Sequence, residues 1–132
     1  MKISIKKLDI KKDHRGWVAE ILRQEDLSKK DGKFGQIHIS TAKPGQTKGK
    51  HYHGRKTEWF CVIAGNGILT LIDKKNEEKK QITIGKSNMV TVKIPPNVWH
   101  AIENTGKSEM YLLAYISEPF NPEDPDTYYE EL

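Results

Sequence analysis

The sequence predicts an all-β fold, a sandwich or barrel of short strands. Three observations lead there. Apolar and β-branched residues fall in short runs, turn residues interrupt those runs at a spacing of about ten residues, and helical periodicity is almost absent.

Taken in chain order, strands are predicted near residues 2–8, 17–23, 35–41, 47–53, 57–64, 67–73, 79–84, 89–94, 99–104 and 110–117. The separators are Asp31-Gly32, Pro44-Gly45, Gly65-Asn66-Gly67, Lys75-Asn76, Gly85, Pro95-Pro96 and Thr105-Gly106. Gly65-Asn66-Gly67 carries a strong hairpin signal. Residues 24–31 (QEDLSKKD) form one helical turn or an irregular loop. With no linker, repeat or low-complexity stretch, residues 1–132 read as one domain. Its parts are N-terminal strands and a loop over 1–34, a barrel core over 35–117 and a tail over 118–132. The tail is rich in Pro, Asp, Glu and Tyr, and is expected to be ordered, irregular and wrapped on the barrel.

Hydrophobic residues make up 36% of the chain and charged residues 30%, which fits a soluble globular protein. No run approaches the roughly 20 apolar residues of a membrane helix, and MKISIKKLDIKKDHR lacks the apolar core of a signal peptide. No membrane partner and a cytoplasmic location are therefore expected. Cys61 is the one cysteine, within the apolar run WFCVIA, and is read as a buried small hydrophobe. The net charge of +4 comes from lysine pairs scattered along the chain, such as Lys6-Lys7, Lys29-Lys30 and Lys79-Lys80. A nucleic-acid reader would cluster them with aromatic platforms, so no nucleic-acid partner is expected. A modest positive potential suits a nucleoside diphosphate.

The chemistry is concentrated in Gly45-QTKGK-His51-Tyr52-His53-GRKT-Glu58-WFCVIA-Gly65, with His100 after Pro95-Pro96-Asn97-Val98-Trp99. Side chains at i and i+2 of a strand share a face, so His51 and His53 point the same way. Imidazole and carboxylate donors suit zinc, iron, nickel or manganese. Trp59, Phe60 and Trp99 read as core or packing residues. His38 shares parity with Gln36 and Ser40, and Asn104 shares a face with His100.

This pattern resembles that of the cupin superfamily, G-x5-H-x-H-x4-E-x6-G, followed by a proline-led segment ending in His with Asn four residues later. Gly85 stands too far before Pro95 to open the second motif in the usual register. The resemblance implies a single-domain cupin, a double-stranded β-helix or jelly-roll barrel. KPGQTKGKHYHGRKTEWFCVIAGNG, VKIPPNVWHAIENTGKSEMYLL and SEPFNPEDPDTYYEEL look like the C-terminal cupin domain of bifunctional capsular-polysaccharide enzymes that make UDP-N-acetyl-L-fucosamine. That likeness covers nearly the whole chain and is most specific in Glu118-Pro119-Phe120 and Pro125-Asp126-Thr127-Tyr128; the reductase half of those enzymes has no counterpart in these 132 residues.

The resemblance implies epimerisation at C3 of a UDP- or dTDP-linked 4-keto-6-deoxy sugar for surface-polysaccharide biosynthesis. A base removes the C3 proton acidified by the ketone, an electrophile stabilises the enolate, and an acid returns a proton to the other face. It also implies zinc on His51, His53, Glu58 and His100, with nickel, iron or manganese as alternatives. In related metal-free sugar epimerases the residue matching His51 is the base. If His51 binds metal, Lys48, Tyr52, Tyr111, Tyr115, Tyr128 and Tyr129 are left as candidates. The expected catalytic residues are thus His51, Lys48 and Tyr115. Asp13-His14-Arg15-Gly16 is similar to an N-terminal segment of sugar epimerases and ketoisomerases, which makes Arg15, with His38 and Asn104, an expected substrate contact. A homodimer is expected, with a separate reductase as a further partner. The alternatives are a dTDP-sugar 3,4-ketoisomerase, whose G-G-H-A-H motif differs from Gly49-Lys50-His51-Tyr52-His53, a metal-dependent dioxygenase, and a non-catalytic metal- or sugar-binding cupin.

Overall fold

Residues 1–29 and 33–132 are described by a computed structural model. The expected turn at Asp31-Gly32 and one member of the Lys29-Lys30 pair lie outside the described residues. The strands are β1 (Ser4–Lys7), β2 (Lys11–Asp13), β3 (Gly16–Val18), β4 (Gln36–Ala42), β5 (Thr47–Tyr52), β6 (Glu58–Ala64), β7 (Asn66–Asp73), β8 (Lys79–Gly85), β9 (Val90–Ile94), β10 (Val98–Asn104), β11 (Met110–Ile116) and β12 (Tyr128–Tyr129). Among the described residues they form two five-stranded antiparallel sheets, ordered β1-β9-β6-β11-β4 and β12-β5-β10-β7-β8, with β2 and β3 as a separate ribbon. The paired sheets make the expected all-β jelly-roll barrel of the cupin type. No helix among the described residues is long and apolar enough to cross a membrane.

Alternation sorts the core. Phe60 and Val62 of β6 point between the sheets, where they join Leu69, Leu71, Ile84, Val92, Ile94 and Ile102. Cys61 points outward and packs with Leu8, Met89, Ile10, Ala19, Ile21 and Ile63. Strand β6 is therefore covered on both faces, which is why WFCVIA reads as a continuous apolar run. Burial pushes the Cys61 thiol up to about 11, as expected for an inert core cysteine.

Three elements differ from the expectation. The predicted strand over 17–23 is a strand only at Gly16–Val18, paired with Lys11–Asp13. Beyond it, Ala19 and Ile21 use their apolar side chains to cover the outer cluster instead of forming a ladder. Gly65-Asn66-Gly67 does not close a hairpin, because β6 and β7 lie in different sheets. The chain crosses between sheets at Gly65 (φ +82°), and Gly85 packs so closely there that an added Cβ would lie 2.3 Å from the Gly65 carbonyl oxygen. In the tail, Tyr128–Tyr129 adds a strand against β5. Of the turn or loop expected over 24–31, the last two residues lie outside the described ones, and Gln24–Asp26 forms a 3-10 turn where the Arg23 N–H donates to Asp26 Oδ2 at 2.7 Å.

Candidate functional site

Three of the four expected ligands come from the second sheet or its loop. His51 on β5 lies directly opposite His100 on β10. His53 follows the end of β5, and Glu58 opens β6 in the facing sheet. The ligand atoms of the four residues all lie within 4.8 Å of one another, so the cluster has a geometry that could hold a metal ion. His53 Nε2 is 2.6 Å from Glu58 Oε1, and His100 Nε2 is 3.0 Å from the same oxygen.

A bulge aims these side chains. The ladder pairs His100 with His51 and Ala101 with Gly49, leaving Lys50 as an extra residue. Gly49 (φ +96°) and Lys50 (φ +60°) both take left-handed backbone. An added Cβ at Gly49 would lie 2.9 Å from the His100 carbonyl oxygen, so the close approach requires glycine. The extra residue changes the parity of β5. Lys48 and His51 therefore line the same cavity despite an odd separation.

Backbone carbonyls orient the rings. His53 Nδ1–H donates to Asp126 O at 2.8 Å, and His100 Nδ1–H donates to Val98 O at 3.0 Å. Each leaves Nε2 facing the cluster, the usual arrangement behind a metal-binding imidazole. His51 Nδ1 is a buried nitrogen without a hydrogen-bond partner, and His100 Nε2, although 3.0 Å from Glu58 Oε1, makes no well-directed hydrogen bond. Such atoms are costly to bury unless something completes them. Two orphaned imidazole nitrogens, a carboxylate and a third imidazole are a donor set that fits a divalent metal.

Burial, reinforced by the neighbouring His100 and His53, pushes the His51 imidazole down to about 4. Burial acts in the same direction on His53, but the Glu58 carboxylate outweighs it and raises that imidazole. For Glu58, burial disfavours the charge, yet His100 and His53 hold the carboxyl well below its usual range. The cluster thus pairs an ionised Glu58 with a neutral His51.

The cluster lies in a cavity of about 270 Å³. Its polar lining includes Gln36, His38, Ser40, Lys48, Lys56 and Thr127. Phe60 meets the His100 ring edge-on at 5.5 Å, and Tyr129 meets His51 edge-on at 5.3 Å. The cavity thus brings together His38, Lys48, His51, His53, Glu58 and His100 of the expected residues. It does not bring in the other three. The Tyr115 hydroxyl accepts from Gly35 N–H at 2.9 Å, and its ring packs on Trp59. The Asn104 amide donates to Ala42 O and Ser108 O, and its carbonyl accepts from Gly106 N–H, so it clamps a loop. Arg15 lies on the β2–β3 ribbon and pairs with Asp13 at 2.6 Å.

The tail completes the site. The Asp126 carboxylate accepts from the N–H groups of Gly54, Arg55 and Lys56 at 3.0, 2.9 and 3.1 Å. Arg55 forms a bidentate pair with Glu118. The Phe120 N–H donates to Gln36 Oε1 at 2.8 Å. Tyr128 stacks on Tyr52 at 5.3 Å, and Trp99 Nε1–H donates to Glu130 O at 2.8 Å. The role of Trp99 is thus to anchor the tail from behind His100. Sequence reasoning missed Lys56, which a polar run such as Gly54-Arg55-Lys56-Thr57 gives no cause to bury. It also missed the bulge, for which Gly49 within a strand pattern was the available signal.

Residues 11–128 match the family model described as the polysaccharide biosynthesis C-terminal domain. A UDP-2-acetamido-2,6-beta-L-arabino-hexul-4-ose reductase from Pseudomonas aeruginosa is 34% identical over 116 residues, which are 88% of this chain and 29% of that protein. The spore coat polysaccharide biosynthesis protein SpsL of Bacillus subtilis is 26% identical, covering 94% of this chain and 84% of its own. Among solved structures, the capsular polysaccharide assembling protein CapF of Staphylococcus aureus matches at 31% identity and a TM-score of 0.72, over 95% of this chain and 34% of that one. A dTDP sugar isomerase from Desulfovibrio desulfuricans superposes at a TM-score of 0.87 with 23% identity, over 98% and 83% of the two chains, a likeness of fold. The chain spans about a third of the length of the reductase and of CapF. The match over residues 11–128 and the jelly-roll barrel make this chain a cupin of the polysaccharide biosynthesis C-terminal domain family.

Proposed function

We propose that this cupin is a nucleotide-sugar isomerase that inverts C3 of a UDP- or dTDP-linked 4-keto-6-deoxy sugar in surface-polysaccharide biosynthesis. The observation that carries the reading is the cavity that combines the His51, His53, Glu58 and His100 cluster with Lys48 and Tyr129. The sequence similarity to a UDP-hexulose reductase and to CapF supports the substrate class.

Zinc on His51, His53, Glu58 and His100 would supply a Lewis acid for the substrate ketone. With those residues committed, removal and return of the C3 proton fall to other groups lining the cavity. Lys48, on β5, and Tyr129, against the His51 ring, fill these roles in our reading, and His38 contacts the sugar. Apolar walls at Phe60, Ile102 and Leu112 keep water from competing for the enolate.

The chain acts as a cytoplasmic homodimer in this reading. The β2–β3 ribbon leaves Trp17 55% and Val18 62% exposed, and edge strand β4 leaves Ile37 55% and Ile39 59% exposed. A two-stranded ribbon is marginal by itself, and a second copy would cover both features. The same contact is our route for Arg15 to reach a substrate. Arg15→Ala is then expected to raise KM for the nucleotide sugar several-fold while kcat changes little, as loss of a ground-state phosphate contact does. An unchanged KM removes Arg15 from the site. A reductase that consumes the epimerised ketone is the remaining partner, in keeping with the reductase relative.

The test is deuterium exchange. The metal-analysed protein is incubated in heavy water with UDP- and dTDP-4-keto-6-deoxy sugars, and C3 and C5 are followed by NMR and mass spectrometry. Deuterium at C3 with an altered coupling pattern is the expected result. Exchange accompanied by movement of the carbonyl from C4 to C3 would instead assign a 3,4-ketoisomerase. No exchange with any substrate, despite bound metal, would leave a binding module.

A further inference from the structure

We infer that Lys56 is a catalytic residue, the cation that receives the negative charge formed on the sugar's C4 oxygen when C3 is deprotonated. This rests on the epimerase reading above.

Lys56 is only 3% exposed. It lies two residues before Glu58 and lines the same cavity as the ligand cluster. An ammonium has three donors. Here Nζ–H donates to Pro125 O at 3.1 Å, and the Phe120 ring centroid lies 5.8 Å from Nζ. Among the described residues the ammonium has no carboxylate partner in an ion pair, and a carbonyl with a ring face is thin compensation for a buried charge. An anion entering the cavity would supply what is missing.

Two anions come with a nucleotide sugar, the diphosphate it carries and the enolate it becomes. The cavity separates them. A diphosphate keeps much of its hydration and suits the solvent-facing mouth of the cavity, where Tyr129 is exposed. Lys56 is buried beside the metal-ligand cluster, next to the apolar side chain of Phe120. A fixed charge in such a setting acts more strongly than one in water, and it favours the state in which new charge appears. The proton balance is simple. A base takes the C3 proton, the C–H electron pair becomes the C3–C4 double bond, and the carbonyl pair moves to the C4 oxygen. Lys56 donates a hydrogen bond to that oxygen and stays protonated, and a second group returns a proton to the opposite face of C3.

The test compares Lys56→Met and Lys56→Arg with the wild-type protein in the deuterium-exchange assay. Lys56→Met is expected to lower kcat about 100- to 1000-fold, as loss of one oxyanion donor does, with KM within about threefold. Binding of UDP or dTDP alone, measured by calorimetry, should not change. Lys56→Arg, which keeps the charge, should recover at least about a tenth of the lost rate. If Lys56→Met loses metal or melts low, Lys56→Gln replaces it, because its amide can still donate to Pro125 O. A kcat within about threefold of wild type overturns the inference. So does a loss confined to KM and to UDP or dTDP affinity, which would make Lys56 a diphosphate anchor. Wild-type protein that exchanges no deuterium overturns the epimerase reading itself, and the role of Lys56 with it.

Discussion

Replacing His51 and His53 together by alanine is expected to abolish metal binding and leave a folded barrel. The substitutions delete two of the four ligand atoms that lie within 4.8 Å of one another. Weakening a supporting partner of a metal ligand already costs about 10- to 100-fold in affinity, so loss of two ligands should take metal content from one ion per chain to background. The barrel survives because its best-buried residues, Leu69, Leu71, Ile84 and Val92, belong to an apolar cluster that includes neither histidine. Metal analysis of the purified variant checks the first half, and far-UV circular dichroism the second. Melting gives a further readout. A metal that binds the folded chain at 100 times its Kd stabilises it by about 2.7 kcal/mol, so added metal should raise the Tm of the wild type and not of the variant. Unchanged metal content in the variant would refute the ligand assignment. Protons compete with metal for imidazole. Because His51 is held neutral down to about pH 4 and His53 is raised, that competition falls on His53.

The second large effect concerns the tail. Asp126→Ala removes one carboxylate that accepts from three successive backbone N–H groups, one buried at Lys56 and two part-buried at Gly54 and Arg55, in the loop between the ligands His53 and Glu58. A hydrogen bond to a charged group contributes about 1.5–3 kcal/mol. The three share one acceptor and do not add fully, so a loss of about 3 kcal/mol is expected, or roughly 10 °C in Tm. The tail should loosen too, with faster amide exchange at Tyr128, Tyr129 and Glu130. Acid should reproduce part of the effect. Burial opposes the Asp126 charge, but the N–H groups of Gly54, Arg55 and Lys56 outweigh it and hold the carboxyl below its usual value. Its contribution is therefore complete above the unfolded pKa of about 3.9 and is lost as pH falls through the lower folded value. A variant that melts within about 1 °C of wild type at neutral pH would show that the tail is not held by this carboxylate.

Much of this was legible in the sequence, for physical reasons that also mark where legibility stops. Period-two alternation and turn residues located strands β4 to β11 to within a residue or two, because burial between two sheets forces that pattern. The motif around His51 and Glu58 identified the cluster because a ligand set must supply particular atoms. Gly65-Asn66-Gly67 misled because a local turn sequence does not say whether the next strand stays in the sheet or crosses to the other. Asn104 has the parity of His100, yet its amide is spent on Ala42 and Ser108, partners that no spacing reveals. Lys56 is the sharper case. Its burial depends on Pro125 and Phe120, more than sixty residues along the chain.

The unpaired residue in β5 makes strand length a determinant of chemistry. With Lys50 opposed by nothing on β10, the strand carries Lys48 and His51 on one face. A strand that kept this three-residue spacing without the bulge would have to turn one of the two side chains out of the cavity, because an unbulged strand alternates strictly. Relatives with an unbulged strand would then share this barrel but present the residue two before the first histidine to the sugar, where this chain presents Lys48, three before it. Among such proteins, diversification of activity can proceed by gain or loss of the bulge at fixed spacing, without any exchange of metal ligands.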